Sequence, residues 1–141
     1  MPRLLIGPVL RHVGTTDATV WVETDAACAV DVLGHTEDTW TVGGHHYALV
    51  TIDGLAPGTS VPYEVRLDGE QVWPPLDSSR PASRIRTQQV DATEVRLAFG
   101  SCRYQRGAIT IDDKHFDDDS LACLSRELTR QDEATWPDGV L

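Results

Sequence analysis

Apolar and polar residues alternate along most of the first 87 positions. Ala18, Val20 and Val22 fall on one side of an extended segment and Thr19, Trp21 and Glu23 on the other, which predicts a half-buried strand over 18–24. The same period returns at Cys28, Val30 and Val32, at Ala48, Val50 and Ile52, and at Val61, Tyr63, Val65 and Leu67. Turn residues close each run: Gly34, Gly43-Gly44, Asp53-Gly54 and Asp68-Gly69, the last favouring a tight hairpin into 70–73. Residues 39–42 and 85–87 read as further short strands. Residues 4–10 form a strand interrupted by Gly7-Pro8, and a proline without an N–H belongs on an edge or at a bulge. About seven short strands with turn signals roughly every 8–12 residues predict an all-β Greek-key β-sandwich, of immunoglobulin or fibronectin type III kind, over residues 1–90. There is no Cys…Trp…Cys spacing of the antibody type.

The pattern changes after a polar stretch at 88–93, the predicted domain boundary. Val95, Leu97, Ala98 and Phe99 make a short apolar run that ends on Gly100-Ser101-Cys102, a buried strand running into a turn that presents a thiol. A polar loop follows over 103–119. Leu121, Leu124 and Leu128 then stand at i, i+3 and i+7, with Asp119 or Ser120 available as a cap, which predicts a helix over 120–131. Gly139-Val140-Leu141 opens another apolar run. Strand, loop, helix, strand is the order of a right-handed βαβ crossover, so residues 91–141 read as the truncated start of an α/β domain. The leucine stripe needs a partner, and its expected fate here is to pack on a foreign surface or a dimer partner, or to fray.

Charge and cysteine usage narrow the function classes. Across 141 residues the net charge is −10 with no Lys/Arg cluster, which argues against a nucleic-acid partner. No apolar run approaches the length of a membrane-spanning helix, and the short apolar segment at the N-terminus is broken by Gly7. The expectation is a cytoplasmic protein without a membrane partner. Cys28, Cys102 and Cys123 are odd in number and have no C-x-x-C spacing, which suits free thiols rather than a disulfide framework or structural zinc. His45 and His46 are adjacent on a strand and so face opposite sides, a poor arrangement for one metal. His115 among Asp112, Asp113 and Asp117 lacks calcium-loop spacing and reads as a solvated acidic loop. No phosphate-binding glycine loop occurs. Trp21 belongs on the outer face of its sheet. Trp40 and Trp73 are expected to join it in an interface patch.

Several stretches resemble one family. Ile6-Gly7-Pro8-Val9-Leu10-Arg11-His12-Val13, Ala18-Thr19-Val20-Trp21-Val22-Glu23-Thr24-Asp25, Gly44-His45-His46-Tyr47-Ala48-Leu49-Val50 and Leu97-Ala98-Phe99-Gly100-Ser101-Cys102-Arg103 are similar to the N-terminal part of PhoD-like alkaline phosphatases, a group of metallophosphoesterases. Leu55-Ala56-Pro57-Gly58-Thr59 and Pro62-Tyr63-Glu64-Val65-Arg66-Leu67-Asp68-Gly69 add to the match. The resemblance implies a fibronectin-like domain ahead of a four-layer α/β core that hydrolyses phosphate mono- or diesters. It implies that Cys102 is a metal ligand in a site using iron and calcium. The family's further Asp, Asn and His ligand motifs have no counterpart within residues 1–141, so this stretch is expected to be inactive and to hold no metal cofactor by itself. Arg103 and Arg106, beside Cys102, are candidate holders of a phosphate oxygen. The fibronectin corner tyrosine, six residues after the leucine of Leu55-Ala56-Pro57-Gly58-Thr59, is replaced by Val61, with Tyr63 two residues later. The first expected partner of the tryptophan patch is the downstream phosphatase core, and the second is a homodimer. A free-standing immunoglobulin-like interaction module, with no link to phosphate chemistry, is the alternative.

Overall fold

The computed structural model describes residues 1–100 and 120–140. The chain forms two compact units, residues 1–92 and 93–141, and their division falls in the polar stretch 88–93. The first unit is all β. Its strands in chain order are β1 (Leu4–Val13), β2 (Ala18–Thr24), β3 (Ala29–Val32), β4 (His35–Asp38) and β5 (Trp40–Val42), followed by β6 (His45–Ile52), β7 (Ser60–Pro62), β8 (Val65–Leu67), β9 (Glu70–Trp73) and β10 (Arg84–Arg86).

Two four-stranded antiparallel sheets carry the sandwich, in the orders β1-β2-β6-β5 and β4-β3-β8-β9. This is the ABED and CFG arrangement of immunoglobulin-type sandwiches with β4 added at the edge of the second sheet. Alternation dictates the core. Ala18, Val20 and Val22 on β2 lie opposite Ile52, Val50 and Ala48 on β6, and all six are fully buried. Val30, Val32, Val65 and Leu67 from the second sheet close on them, with Tyr63 and Ile85 at one end. Buried hydroxyls bond to nearby carbonyls: Thr87 Oγ1 donates to Ala56 O at 2.7 Å and Thr24 Oγ1 to Ala26 O at 2.8 Å. Burying them therefore costs little. At the open end of β1 and β2, Arg3 donates from both its backbone N and its Nε to Asp25, each at 2.7 Å, and holds that carboxyl below its ordinary range.

Three features differ from the periodicity reading. Val61, Tyr63, Val65 and Leu67 do not belong to one strand: β7 pairs with β10, whereas β8 pairs with β3 and β9. Pro62, which has no N–H to give a ladder, stands where the chain leaves one pairing for the other. Tyr63 fills the corner, buried, with its backbone N bonded to Ser83 O at 2.9 Å. Second, β4 exists although it has no apolar alternation. It is folded back on β3 by Leu33 and Gly34, both at positive φ (54° and 82°), and that turn twists with the strands. Third, β1 continues past the Gly7-Pro8 irregularity to Val13, with register shifts on either side.

Gly7 has a specific reason to be glycine. Its φ is +104°, and a Cβ there would lie 2.9 Å from the Trp21 carbonyl oxygen and 3.2 Å from Val9 N, both backbone atoms. Gly34 also has positive φ, but a Cβ there would meet nothing within 4 Å. Gly7→Ala is therefore expected to cost about 1–3 kcal/mol of strain on top of the conformational penalty that Gly34→Ala also carries. Urea unfolding of the two variants checks the order, and equal midpoints would contradict it.

The second unit is a small strand-helix-strand. β11 (Leu97–Ala98) pairs in parallel with β12 (Gly139–Val140), with α1 (Ser120–Arg130) and a 3₁₀ turn at Glu133–Thr135 between them. The pairing is pinned by Arg96, whose N donates to Asp138 Oδ2 at 2.8 Å and whose Nη2 donates to Ala134 O at 2.8 Å. Trp136 Nε1 ties the turn back to the helix at Leu128 O, 2.9 Å away. No side chain of α1 is buried: Leu124 and Leu128 are half-buried and Leu121 is exposed.

Candidate functional site

The first sheet has an unusual outer face. Residues opposite one another on antiparallel strands point to the same side. Register therefore places Trp21 beside Leu49 and Val9, Glu23 beside Tyr47 and Ile6, Tyr47 beside Trp40, and His45 beside Val42. None of these points into the core. The rings of Trp21 and Tyr47 stack at 5.7 Å, Trp40 lies tilted against Tyr47 at 6.1 Å, and His45 stacks on Tyr47 at 6.1 Å with nearly parallel planes. Val42 (59 % exposed), Ile6 (52 %) and Trp40 (46 %) present large apolar surface to solvent. The outer face of the second sheet is the opposite in character. Asp31 lies between Thr36 and Arg66, and Arg66 lies beside Gln71.

Beneath the aromatic side chains sits a buried carboxylate. Glu23 is 7 % exposed, and His45 Nδ1 lies 2.6 Å from its Oε1. A carboxylate only accepts, so the ring donates its Nδ1–H and the tautomer is fixed. The hydrogen bond gives a partner to the one acid on this face that is out of water, which is the condition for burying it. No hydroxyl or thiol is bonded to the His45 ring among the described residues, so the pair lacks the nucleophile of an acyl-transfer site. His46, its neighbour, faces away and meets Thr41 Oγ1 at 2.9 Å. The two histidines do diverge, as adjacent strand residues must.

Two of the three tryptophans come together. Trp21 and Trp40 meet through Tyr47, and Trp73 does not join them. Trp73 lies on β9 in the other sheet, packs against the core, and donates from Nε1 to Ser83 Oγ at 2.8 Å. Tyr47 was missed as the link. Its signal was present, because His45, Tyr47 and Leu49 alternate with the buried Ala48, Val50 and Ile52.

Other candidates resolve as follows. Cys102, Arg103 and Arg106, and the acidic run around His115, lie outside the described residues. Phe99 and Gly100, which lead to them, leave β11 at its C-terminal end. Among the described residues no group of three His, Cys, Asp or Glu side chains converges as a metal site, so the described donor set does not fit an iron–calcium centre. Cys28 and Cys123 are free thiols. Burial pushes the Cys28 thiol up, against a weak opposing contact with Thr24. Burial likewise raises the Tyr63 phenol, against its hydrogen bond with Ser83, which suits a corner residue and not an acid or base at neutral pH. An open cleft of about 380 Å³ runs past Leu33, Tyr63 and Pro74, but the charges on it are already engaged: Arg66 with Glu64 at 2.9 Å and Asp31 with Thr36 at 3.1 Å.

Most of the sandwich falls within a recognised family. A family profile described as a domain of unknown function, DUF7800, matches residues 1–85. The chain belongs to the DUF7800 family. The match covers β1 to β9 and ends within β10. No curated protein and no solved structure matches the chain. In this DUF7800 domain alternation builds the core, while the outer face of one sheet stays largely apolar. Among the described residues no helix is long and apolar enough to cross a membrane.

Proposed function

We propose that the chain is a non-catalytic module of a PhoD-like metallophosphatase. In this reading the sandwich positions and buttresses a catalytic core, and residues 93–141 are the opening strand-loop-helix-strand of that core. The parent enzyme hydrolyses phosphate mono- or diesters in the cytoplasm. One observation carries the reading: β11 and β12 pair in parallel across a helix, Leu97 to Gly139 and Ala98 to Val140. A parallel pair is covered on both faces in α/β proteins, and their sites form at the C-terminal ends of the strands. Here Phe99 is 85 % exposed, Leu97 54 % and Val140 53 %, apolar surface suited to further strands and helices. The chain leaving β11 runs through Phe99-Gly100-Ser101-Cys102, the most specific part of the family resemblance. Cys102 would be the ligand that this unit supplies, and Arg103 and Arg106 would lie near the phosphate.

The test is metal content. In a chain extended through the catalytic core, Cys102→Ser is expected to lower bound iron severalfold and to reduce hydrolysis of bis-p-nitrophenyl phosphate together with it. Unchanged iron in the variant would remove Cys102 from the site. An extended chain with no metal-dependent hydrolysis at all would favour the second reading, a free-standing interaction module. The aromatic outer face of the first sheet is the observation on that side.

A further inference from the structure

We propose that Trp21, Trp40 and Tyr47, beside the Glu23 carboxylate, form a binding site for a small organic ammonium ion. The inference rests on this cluster and not on the phosphatase reading.

The charge comes first. Glu23 is 7 % exposed, and its Oε1 accepts from His45 Nδ1 at 2.6 Å. Among the described residues that is its one side-chain hydrogen bond, and no Lys or Arg pairs with it. Oε2 is therefore a buried acceptor without a protein partner, and buried polar atoms are left so only rarely. A neutral imidazole that donates its Nδ1–H does not cancel charge, so the pair keeps the negative charge of the carboxylate. A charge held out of water calls for an opposite charge close by. Among the described residues none of the protein's own Lys or Arg side chains supplies it.

The rings come second. Glu23 lies opposite Tyr47 across β2 and β6, Trp21 is two residues away on the same face of β2, and Trp40 lies opposite Tyr47 on β5. The Trp21 and Trp40 centroids are 5.7 and 6.1 Å from that of Tyr47. A cation is attracted over an aromatic face within about 6 Å of its centroid, so at this spacing one ion can reach more than one ring. The planes of Trp40 and Tyr47 are inclined at 45°, and Trp40 is 46 % exposed, open to a ligand from solvent.

Together these select the ligand. An alkylated ammonium presents methyl groups to the rings and carries the charge that Glu23 lacks, and aromatic clusters recognise such ions in this way. An anion would be repelled by the buried carboxylate. A neutral apolar body would cover the carboxylate and leave it uncompensated. The net charge of −10 draws cations toward the chain from a distance.

Titration of the 141-residue chain with tetramethylammonium, followed by NMR of the indole N–H groups, tests the site. The chain has four tryptophans, and two of them are internal references: Trp73 Nε1 is bonded to Ser83 Oγ and Trp136 Nε1 to Leu128 O. The Trp21 and Trp40 signals are expected to shift with a dissociation constant on the order of 1 mM, ordinary for five heavy atoms, while the other two stay. Sodium chloride matches the screening, and tert-butanol matches the size without the charge. Glu23→Gln, which keeps an acceptor for His45, should weaken binding roughly tenfold or more, and Trp40→Leu, at an exposed position, severalfold. Trp40→Leu serves alone should Glu23→Gln fail to fold, which circular dichroism establishes. No shift of Trp21 and Trp40 up to about 50 mM beyond that caused by salt overturns the site. An equal response to tert-butanol overturns it as well, since the face is then merely apolar. So does binding undiminished in the folded variants. A response to a peptide carrying trimethyllysine, with none to free tetramethylammonium, overturns it in favour of a protein partner.

Discussion

Residues 1–141 alone, given bis-p-nitrophenyl phosphate or p-nitrophenyl phosphate with iron and calcium, are expected to release no p-nitrophenol above the protein-free rate. Phosphate esters hydrolyse so slowly that enzymes lower the barrier by up to roughly 20 kcal/mol. Two-metal enzymes do so with ions about 3.5–4 Å apart, which takes several Asp, His and Asn ligands from successive strand ends. The described residues converge on no such set. The buried carboxylate of Glu23 is bonded to His45, whose ring is mostly exposed, and among the described residues no hydroxyl or thiol is bonded to that ring. Arg103 and Arg106 could hold a phosphate oxygen, but holding ground state and transition state equally does not speed the chemical step. The net charge of −10 repels the anionic substrate as well. On the proposed reading, the same assay with a chain extended through the catalytic core gives turnover, a difference of many orders of magnitude. Chelator-sensitive hydrolysis that tracks the 141-residue peak on a sizing column would overturn the assignment of this stretch as scaffold.

Much of the sandwich is legible in the sequence because its core is built by alternation alone. Val20 and Val22, Val30 and Val32, and Val50 and Ile52 recur at period two, and a half-buried strand has no other way to sort its side chains. What stays hidden is which sheet a strand joins. Val61 to Leu67 reads as one run, since Val61, Tyr63, Val65 and Leu67 keep period two across the change of pairing at Pro62. Trp73 was grouped with Trp21 and Trp40 for the same reason: residue type says nothing of sheet membership, and β9 lies in the other sheet. β4 has no signal in the sequence because His35, Thr36, Glu37 and Asp38 carry no apolar alternation, and an edge strand needs only ladder partners. Its turn uses Leu33 at positive φ, where Asn or Asp would have given the signal.

The candidate interaction face shows the same limit more sharply. That Trp21 and Glu23 face outward follows from alternation with Val20 and Val22. That Glu23 is nonetheless buried does not follow, because its cover comes from Ile6, Tyr47 and His45 on neighbouring strands. A carboxylate two residues from a tryptophan reads as a solvated strand position until register is known. In the second unit the order strand, helix, strand was readable. The pins that hold it, Arg96 to Asp138 and Arg96 to Ala134, are long-range contacts without a local pattern.

Leu67→Ala is expected to lower the Tm of the sandwich by roughly 10–30 °C, from a loss of about 2–5 kcal/mol in a unit of this size. Leu67 is 1 % exposed, lies opposite Val30 on β3, and is among the largest side chains fully buried in the core. The spread in such costs reflects how well neighbours collapse into the void. Here the neighbours are mostly valines: Val20, Val22, Val30, Val32, Val50 and Val65. A β-branched side chain on a strand is restricted at χ1 and has no longer arm to swing into the space. The cost should therefore fall in the upper half of the range. Leu67→Met keeps the volume with an adaptable chain and should cost less than about 1.5 kcal/mol. Leu5→Ala, at an exposed position on the edge strand β1, should stay within about 0.5 kcal/mol. Urea unfolding of the three variants, with a common m-value, ranks them. Leu67→Ala within 1 kcal/mol of wild type would mean that the core relaxes around the cavity, and that the valine framework is softer than its rotamers imply.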